Sequence, residues 1–426
     1  MKFKYYLIFS VLQLTIIFGQ IKEVGLDELV KVTIKNNPAI KIAEHKLTAS
    51  ESEIAQSSNL PDPVFTFGIM NLPLNSFSFH QEPMTGKLFS LSQSFPFPGK
   101  LSEIGDVKST ESKIAGTEIN SEKLSLQEKI TNLYYNYFYL QRIDNLIKLK
   151  NDLLERLSEV VRTKYEVSAA GQQNIFKVQL EISNVETDRI EIQNNLKNVF
   201  NSISVISGIP ADSLVLSDNN HLDADLKSEF NPDSLYQIAL QNRPEITKSQ
   251  LAIDRSQQAV DLADYTWYPN FTVTLQYSQR DRITNTADLP DFGSVMLGMN
   301  IPLNYGGKKS AEEQYAKAGL DISKSNREKI LQDTKTGLIK LSSKLNSEVE
   351  QYKIVNGTKL KLAEFNYSAA LSDYQNNKID FSDTIDAVNE ILKVRKNIFD
   401  LRLGYFTSAA EIEKLTGTGL FTGETK

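Results

Sequence analysis

The strongest constraint on the fold is that this chain of 426 residues repeats itself once at long range. Three pairs of motifs share an offset of 206: Asn36-Asn37-Pro38-Ala39-Ile40 with Asn242-Arg243-Pro244-Glu245-Ile246, Pro63-Val64-Phe65-Thr66 with Pro269-Asn270-Phe271-Thr272, and Phe95-Pro96 with Ile301-Pro302. The offset becomes 208 for Gly99-Lys100 and Gly307-Lys308, and 209 for Ser207-Gly208 and Thr416-Gly417. Because chance matches do not hold one offset over dozens of residues, we predict two copies of one structural unit.

The repeat predicts five segments along the chain. The first repeat covers 21–208 and the second 233–417, with a polar linker at 209–232 and a short tail at 418–426. Residues 1–20 have the order of an export signal: a positive start at Lys2 and Lys4, an apolar run, and the small residue Gly19. We therefore expect residues 1–20 to be a signal peptide.

Each repeat has the same order of sequence periods. A helical stretch opens each copy after Asp27 or Asp233, which we take as N-caps. Two strands follow, at about 64–79 and 87–97 in the first copy and at about 270–281 and 292–305 in the second. Long helical segments then cover about 101–207 and 308–416. The unit is therefore helix–strand–strand–long helical hairpin.

The predicted strands alternate strictly between apolar and polar residues. The apolar set includes Phe65, Phe67, Phe271, Val273, Leu275 and Tyr277, and the polar set includes Thr272, Thr274 and Ser278. Alternation of this kind fits a lipid-facing barrel strand with a polar lumen side, but also an ordinary soluble sheet with one wet face. Four strands cannot close a barrel of useful bore, because the bore grows with strand number. A barrel would therefore need strands from several chains.

The predicted long helices carry apolar residues at intervals of seven. The longest run is Ile119, Leu126, Leu133, Leu140, Ile147, Leu154 and Val161. A seven-residue apolar repeat predicts helices that pack side by side as in a coiled coil. Breaks at 168–171 and 375–377 predict helix–helix turns, so each repeat ends in a long hairpin.

Composition excludes several classes of function. The net charge of −6 argues against a nucleic-acid-binding protein, and three histidines with no cysteine argue against a His- or Cys-based metal enzyme. We find no catalytic constellation, no cofactor motif and no metal site. Gly306-Gly307-Lys308 lacks the spacing of a phosphate-binding loop, so we interpret it as a strand-to-helix turn.

This order of elements resembles the TolC family of outer-membrane efflux proteins. More specific motifs are similar to the branch that serves heavy-metal pumps of the resistance–nodulation–division (RND) class: Leu60-Pro61-Asp62-Pro63, Phe67-Gly68, Met70-Asn71-Leu72-Pro73, Gln81-Glu82-Pro83-Met84-Thr85 and Phe95-Pro96-Phe97-Pro98-Gly99-Lys100. The resemblance implies a mainly α fold with a membrane β-barrel. It further implies a homotrimer with a 12-stranded barrel in outer-membrane lipid, continued by an α-barrel through the periplasm. A periplasmic membrane-fusion adaptor and an inner-membrane RND transporter would be the partners.

The best polar site lies at the second predicted hairpin turn. Asp380, Asp383 and Asp386 follow one another at steps of three, which places them on one helical face. From the residues alone, a solvated acidic face near a helix start is the favoured interpretation. The resemblance implies that Ser382–Ala387, after Tyr374, supplies an acidic ring that selects cations at the periplasmic aperture. Lys177 stands in the first repeat where the family often has an acidic or polar partner.

Two other functions stay open from the sequence. A general drug-efflux or type I secretion outlet has the same architecture, and only the motifs at 61–100 argue against it. A soluble periplasmic coiled-coil adaptor or scaffold also uses helical hairpins, although adaptors insert β-rich modules between the arms and no such block interrupts 105–208 or 310–417. The transported substrate and the partner pump are not encoded in any motif that we recognise.

Overall fold

The computed structural model describes residues 22–218, 226, 230–283 and 288–419. The predicted signal peptide, 1–20, and nearly all of the predicted tail, 418–426, lie outside these described residues. Of the residues that the structure describes, 73% are helical. Within the described ranges, no helix combines the length and the apolar character needed to cross a lipid bilayer.

The helices recur at the offsets of the sequence repeat. The first half contains α1 (Leu26–Asn36), α2 (Pro38–Ser58), α3 (Lys100–Glu166) and α4 (Gln172–Ser207). The second half contains α5 (Pro232–Asn242), α6 (Pro244–Asp264), α7 (Lys308–Ile354), α8 (Leu360–Gln375) and α9 (Phe381–Thr416). The bounds of α1 and α5, and of α2 and α6, share the offset of the Asn-Asn-Pro motif, and those of α4 and α9 share the offset of Ser207-Gly208. A π-helical turn, Val355–Lys359, joins α7 to α8.

Six strands form two sheets. The strands are β1 (Lys22–Val24), β2 (Val64–Met70), β3 (Gly86–Phe95), β4 (Leu214–Leu216), β5 (Phe271–Gln279) and β6 (Phe292–Met299). β1 and β4 pair in parallel, and the other four pair antiparallel in the order β2-β3-β5-β6. The two repeats therefore meet at the centre of the larger sheet, and β2 and β6 are its edge strands.

The chain forms two compact units that do not coincide with the two repeats. One unit takes the described parts of Met1–Asn37, Leu126–Glu229 and Lys344–Ala410, and the other takes those of Pro38–Ser125, Phe230–Ser343 and Glu411–Lys426. The first unit contains both hairpin tips and the β1–β4 pair. The second contains the four-stranded sheet with α2, α5 and α6.

A core in the first unit explains why the Asn-Asn-Pro motif is present. Leu29, Ile130 and Ile203 are fully buried in one cluster at the base of α1 and α4. The side chains of Asn36 and Asn37 donate to the carbonyls of Ser207 and Ile206 at 3.3 and 3.0 Å, where the last turn of α4 leaves carbonyls without helical partners. Gly208 follows in the left-handed region at φ 69°, the usual end of a helix.

The predicted N-caps and the single opening helices are wrong. Gly25 and Asn231 are the capping residues, and the Asn231 side chain accepts hydrogen bonds from the backbone N–H groups of Asp233 and Ser234. Asp27 and Asp233 instead lie in the first turn, where a carboxylate is favourable next to the helix dipole. Each opening stretch is split in two by a proline, because proline forces the residue before it into an extended conformation.

Several predicted strand ends and the linker also differ from the structure. The strand predicted at 64–79 ends at Met70, because Asn71 takes a positive φ of 53° and starts a loop. The strand predicted at 292–305 ends at Met299, and the strands predicted at 87–97 and 270–281 are Gly86–Phe95 and Phe271–Gln279. The linker 209–232 is not wholly polar coil, since it contains β4 and the first residue of α5.

Candidate functional site

One face of the four-stranded sheet is apolar and exposed. Across the four strands Phe65 pairs with Leu91, Leu91 with Leu275 and Leu275 with Val295, so all four side chains share this face. Their exposed fractions are 65%, 45%, 51% and 71%. The six residues predicted to face lipid, Phe65, Phe67, Phe271, Val273, Leu275 and Tyr277, all lie on this face by register. A contiguous apolar face of this kind marks a contact surface for lipid or protein.

The central part of the opposite face of the sheet is polar, while Val64, Met70, Leu88, Phe292 and Met296 on the same face are apolar. The row next to the apolar one contains Thr66, Ser90, Gln276 and Ser294, paired in that order. The hydroxyls of Ser92 and Thr274 lie 2.8 Å apart in a hydrogen bond between neighbouring strands. The predicted lumen residues Thr272, Thr274 and Ser278 belong to this face by register. The sheet can therefore separate an apolar medium from a wet one.

Two clusters of aromatic rings flank the apolar face along the strands. At one end Phe89 lies between Phe67 and Tyr277, with ring centroids 5.2 and 6.3 Å apart. At the other end Phe97 stacks on Tyr268, with centroids 4.5 Å apart. Phe89 lies in β3 and Phe97 lies two residues beyond its end, so the two clusters are at most about 26 Å apart.

The two hairpin tips have the same backbone turn. At the end of α3 the N–H groups of residues 167, 168 and 169 donate to the carbonyls of 163, 165 and 164. At the end of α8 the N–H groups of 376, 377 and 378 donate to the carbonyls of 372, 374 and 373, which repeats the pattern at the offset of Ser207-Gly208 and Thr416-Gly417. Ser168 and Asn377 occupy equivalent positions and both have φ 58°. The two hairpins therefore end in equivalent turns.

The three predicted aperture aspartates lie beside the second tip. Asp380 directly precedes α9, Asp383 lies in the first turn of α9, and Asp386 follows one turn later. All three side chains are exposed and make no hydrogen bond or ion pair with the described part of the chain. Thr384, between Asp383 and Asp386, and Ala387, directly after Asp386, are buried, so Asp383 and Asp386 lie on the outer face of α9. Their role as an aperture remains a prediction.

The predicted gate partners differ in their surroundings. Tyr374 is 4% exposed, and its ring contacts Phe381 edge-on with centroids 5.8 Å apart. Burial raises the pKa of the Tyr374 phenol. Lys177 is exposed on α4 and has no hydrogen bond or ion pair to any described residue. The structure thus places Tyr374 inside the hairpin packing and Lys177 on its surface.

Sequence reasoning missed Lys164, which joins the two tips. Lys164 is 8% exposed, its ammonium lies 4.5 Å from the Tyr374 ring centroid, and it donates a hydrogen bond to the Asn377 side chain. A signal was present: Lys164 comes three residues after Val161 of the seven-residue repeat and so lies on the same helix face. Charge on an otherwise apolar helix face predicts a specific partner.

The predicted glycine turns lie directly before the long helices α7 and α3. Gly306 and Gly307 have φ values of 58° and 77° in the turn before α7, as the interpretation of a strand-to-helix turn requires. Gly99, at φ 91°, makes the corresponding turn before α3.

In the part of the chain that the structure describes, no group of three or more His, Asp or Glu side chains is arranged to hold a metal ion.

Comparison with known proteins identifies the architecture. Residues 235–418 match the family model described as outer membrane efflux protein. The chain is 19% identical over 326 residues to the outer membrane protein TolC of Vibrio cholerae, covering 74% of this chain and 72% of the relative. It is 23% identical over 297 residues to the cobalt-zinc-cadmium resistance protein CzcC of Cupriavidus metallidurans, covering 68% of each.

Solved structures share the fold over nearly the whole chain. The outer membrane protein VceC of Vibrio cholerae superposes with a TM-score of 0.76 at 15% identity, covering 92% of this chain and 96% of VceC. CusC superposes with a TM-score of 0.74 at 16% identity, covering 92% of each chain. With the repeated unit and the two-faced sheet, these matches show that residues 235–418 carry the outer membrane efflux protein domain and that nearly the whole chain has the fold of VceC and CusC.

Proposed function

We propose that three copies of this chain form a passive exit duct for heavy-metal cations across the outer membrane and the periplasm. The observation that carries the proposal is the four-stranded sheet with one apolar face, one polar face and two edge strands, β2 and β6. Unpaired strand edges are not stable in a bilayer, because lipid offers no hydrogen-bond partners. Pairing β2 of one chain with β6 of the next in a trimer closes a barrel of twelve strands.

The aromatic clusters support a membrane position for this sheet. Membrane barrels carry an apolar band about 25 Å tall between two aromatic girdles. The separation of at most about 26 Å between the Phe89 and Phe97 clusters is compatible with this height. A tilted strand would shorten the vertical distance somewhat, which a bilayer of the thin outer-membrane type accommodates.

Cysteine labelling tests the barrel, and the chain has no native cysteine to interfere. Thr274→Cys and Leu275→Cys are adjacent and lie on opposite faces of β5. We expect a charged, water-soluble thiol reagent to label Cys at 274 much faster than Cys at 275 in membranes, because only the polar face lines water. Equal labelling, or faster labelling at 275, would contradict the barrel. Gly293→Cys, on the apolar face beside Tyr277, is a second apolar-face control.

Trimer formation is tested separately from orientation. Native mass measurement of the mature protein in detergent is expected to give three copies. Two edge cysteines on the same face, Phe65→Cys on β2 with Met299→Cys on β6, should crosslink between chains and not within one. Monomers alone would contradict the proposal.

Heavy-metal cations are the cargo that the observations favour. CzcC is a cobalt-zinc-cadmium resistance protein, and the chain shares 23% identity with it. Asp383 and Asp386 add exposed carboxylates at the second hairpin tip, and three chains would bring six of them into one aperture. Rings of carboxylates select cations in channels. An RND transporter in the inner membrane and a periplasmic membrane-fusion adaptor would supply the ions.

A drug-efflux or secretion outlet is the competing function, favoured by 21% identity over 315 residues to the toxin and drug export protein A of Aggregatibacter actinomycetemcomitans. The two are separated by deleting the gene in its own host and measuring growth with zinc, cobalt, cadmium or copper salts and with a panel of detergents and dyes. We expect loss of metal tolerance with drug tolerance retained. Loss of drug tolerance alone would leave the duct intact as a proposal and overturn the metal cargo.

A further inference from the structure

The two helical segments that lead to the hairpin tips differ in length by one residue. α3 begins at Lys100 and α7 at Lys308, which is an offset of 208. α3 ends at Glu166 and α8 at Gln375, which is an offset of 209. The second repeat therefore contains one extra residue somewhere between 308 and 375.

The exposed fractions of equivalent positions in the two repeats show where the extra residue was inserted. Before the π-helical turn the buried positions of the two repeats match at an offset of 208: Ile130 with Leu338, both 0% exposed, and Tyr134 with Ser342, both 1%. At an offset of 209 Ile130 would match Ile339, which is 45% exposed. After the turn the match is at 209, with Leu154 at 1% against Ala363 at 6%. Val161 and Ala370 continue this offset.

The π-helical turn Val355–Lys359 lies inside the interval where the offset changes. A π-helical turn adds one residue to a helix without rotating the helix beyond it, because its hydrogen bonds span five residues and not four. The helix below the turn therefore keeps the phase of α3. This explains why the buried faces and the tip hydrogen bonds of both hairpins still correspond.

The π-helical turn is stabilised by few interactions. Its sequence, Val-Asn-Gly-Thr-Lys, places three poor helix formers in a row, whereas α3 has Leu-Ile-Lys-Leu-Lys at 146–150. Only Val355 is buried, at 4%, and the next four residues are all exposed. A groove of about 420 Å³, lined in part by Asn356, Leu360 and Phe399, borders the turn. Few buried contacts and poor helix propensity give a low free energy of local opening.

We infer that Val355–Lys359 is a hinge made by one inserted residue, which lets the second hairpin bend while α3 keeps the first hairpin straight. The hinge is anchored on both sides, since Val355 at its start and Ala363 beyond its end belong to one buried cluster with Val388 and Ile391 of α9. The inference does not depend on the cargo or on the trimer, because it follows from one chain.

Single-residue deletions test the insertion. Deleting Gly357 should convert α7–α8 into one continuous helix like α3, with the tip in its native phase. Deleting Lys148, at the corresponding level of α3, should rotate the helix below it by about 100° and move Lys164 away from Asn377. In a background with Lys164→Cys and Asn377→Cys, a short thiol crosslinker should join the tips in the parent and in the Gly357 deletion, but not in the Lys148 deletion. Loss of crosslinking or of folding in the Gly357 deletion would overturn the insertion.

Hydrogen exchange tests the hinge in the full-length protein. Amides at 355–363 should exchange at least about fivefold faster than those at 146–154, since one glycine in a helix costs about 1 kcal/mol in local stability. Gly357→Ala should reduce this difference, because a Cβ at 357 meets nothing within 4 Å. Gly319→Ala, also in open space on α7, is the matched control and should leave it unchanged. Equal exchange of the two segments in the unmodified protein would overturn the hinge.

Discussion

The two hairpin tips share one backbone and carry different chemistry. Ser168 and Asn377 form the same left-handed turn with the same three hydrogen bonds. Yet Asp383 and Asp386 in the second hairpin correspond to Asn174 and Lys177 in the first. The backbone turn is repeated, whereas the side chains beside it differ: Lys177, Asp383 and Asp386 are exposed, and Asn174 is half-buried. The difference between the tips, and not the fold that they share, is therefore where selectivity would reside.

The two tips also differ in the burial of an equivalent tyrosine. Tyr165 and Tyr374 are equivalent residues one turn before each tip, but Tyr165 is 44% exposed and Tyr374 is 4% exposed. Tyr374 packs in one cluster with Val161, Val178 and Phe381. Within the chain, the second tyrosine holds the tips together and the first does not.

Truncation of these tyrosines should show the largest difference. Tyr374→Ala is expected to destabilise the second hairpin by about 3 kcal/mol, the usual cost of removing a buried aromatic ring. Tyr165→Ala should cost less than about 0.5 kcal/mol, as for an exposed position. Hydrogen exchange of the α9 amides measures the first effect, and that of the α4 amides measures the second. Similar costs at both positions would mean that Tyr165 is buried in the assembled protein, and the contrast between the tips would fail.

Removal of the aspartates should have the next largest effect. Asp383→Asn with Asp386→Asn is expected to lower cation selectivity in a planar bilayer, with about 1 kcal/mol, or about a fivefold change in local cation occupancy, lost per carboxylate. Block by divalent cations should weaken together with selectivity. Asp321→Asn with Asp333→Asn removes the same charge from exposed positions on α7 and serves as the control. Unchanged selectivity and block in the tip variant would make the aspartates an ordinary solvated helix face.

Lys177 offers the converse experiment. Lys177→Asp gives the first tip the acid that Asp386 gives the second, and it should raise cation selectivity by at most about twofold, because a pore that already excludes anions has little to gain. Lys177→Gln should produce a smaller change in the same direction. The same single-channel reversal potentials measure both variants. A decrease in selectivity would show that Lys177 does not share the aperture with the aspartates.

Much of this fold could be predicted from sequence because each repeated element occurs twice, so that one copy could be checked against the other. The strand alternation placed six apolar residues on one face, and the pairing of β2, β3 and β5 puts them there. The π-helical turn could not be predicted, although the offset change from 208 to 209 was visible in the sequence, because an inserted residue can be absorbed at any point of a helix. The burial of Tyr374 was also missed, since it depends on Lys164 and Phe381, which come from distant or separate helices.

For the aspartates, position could be predicted from sequence but function could not. Their positions on α9 follow from sequence spacing alone, whereas their function depends on neighbouring copies and on ions, neither of which one chain contains. Asp383 and Asp386 are exposed on α9, so what they do is decided by groups outside the chain.

Alkaline pH should expose the smallest difference between the tips. Burial raises the pKa of the Tyr374 phenol above its ordinary value near 10, so folding favours the neutral form. The stability that this contributes is complete below the pKa of the unfolded chain and is lost as the pH rises from about 10 through the pKa of the folded protein. The second hairpin should therefore open more readily at pH 11 than at pH 9.

Tyr374→Phe keeps the ring packing and removes the ionisable group, so its α9 amides should show less of this pH dependence once the intrinsic exchange rate is subtracted. Tyr165→Phe, at the equivalent exposed position, is the matched control and should leave the effect in α9 intact. If Tyr374→Phe loses stability between pH 9 and 11 as steeply as the unmodified protein, another group causes the loss, and Tyr374 contributes to the second tip only by its packing.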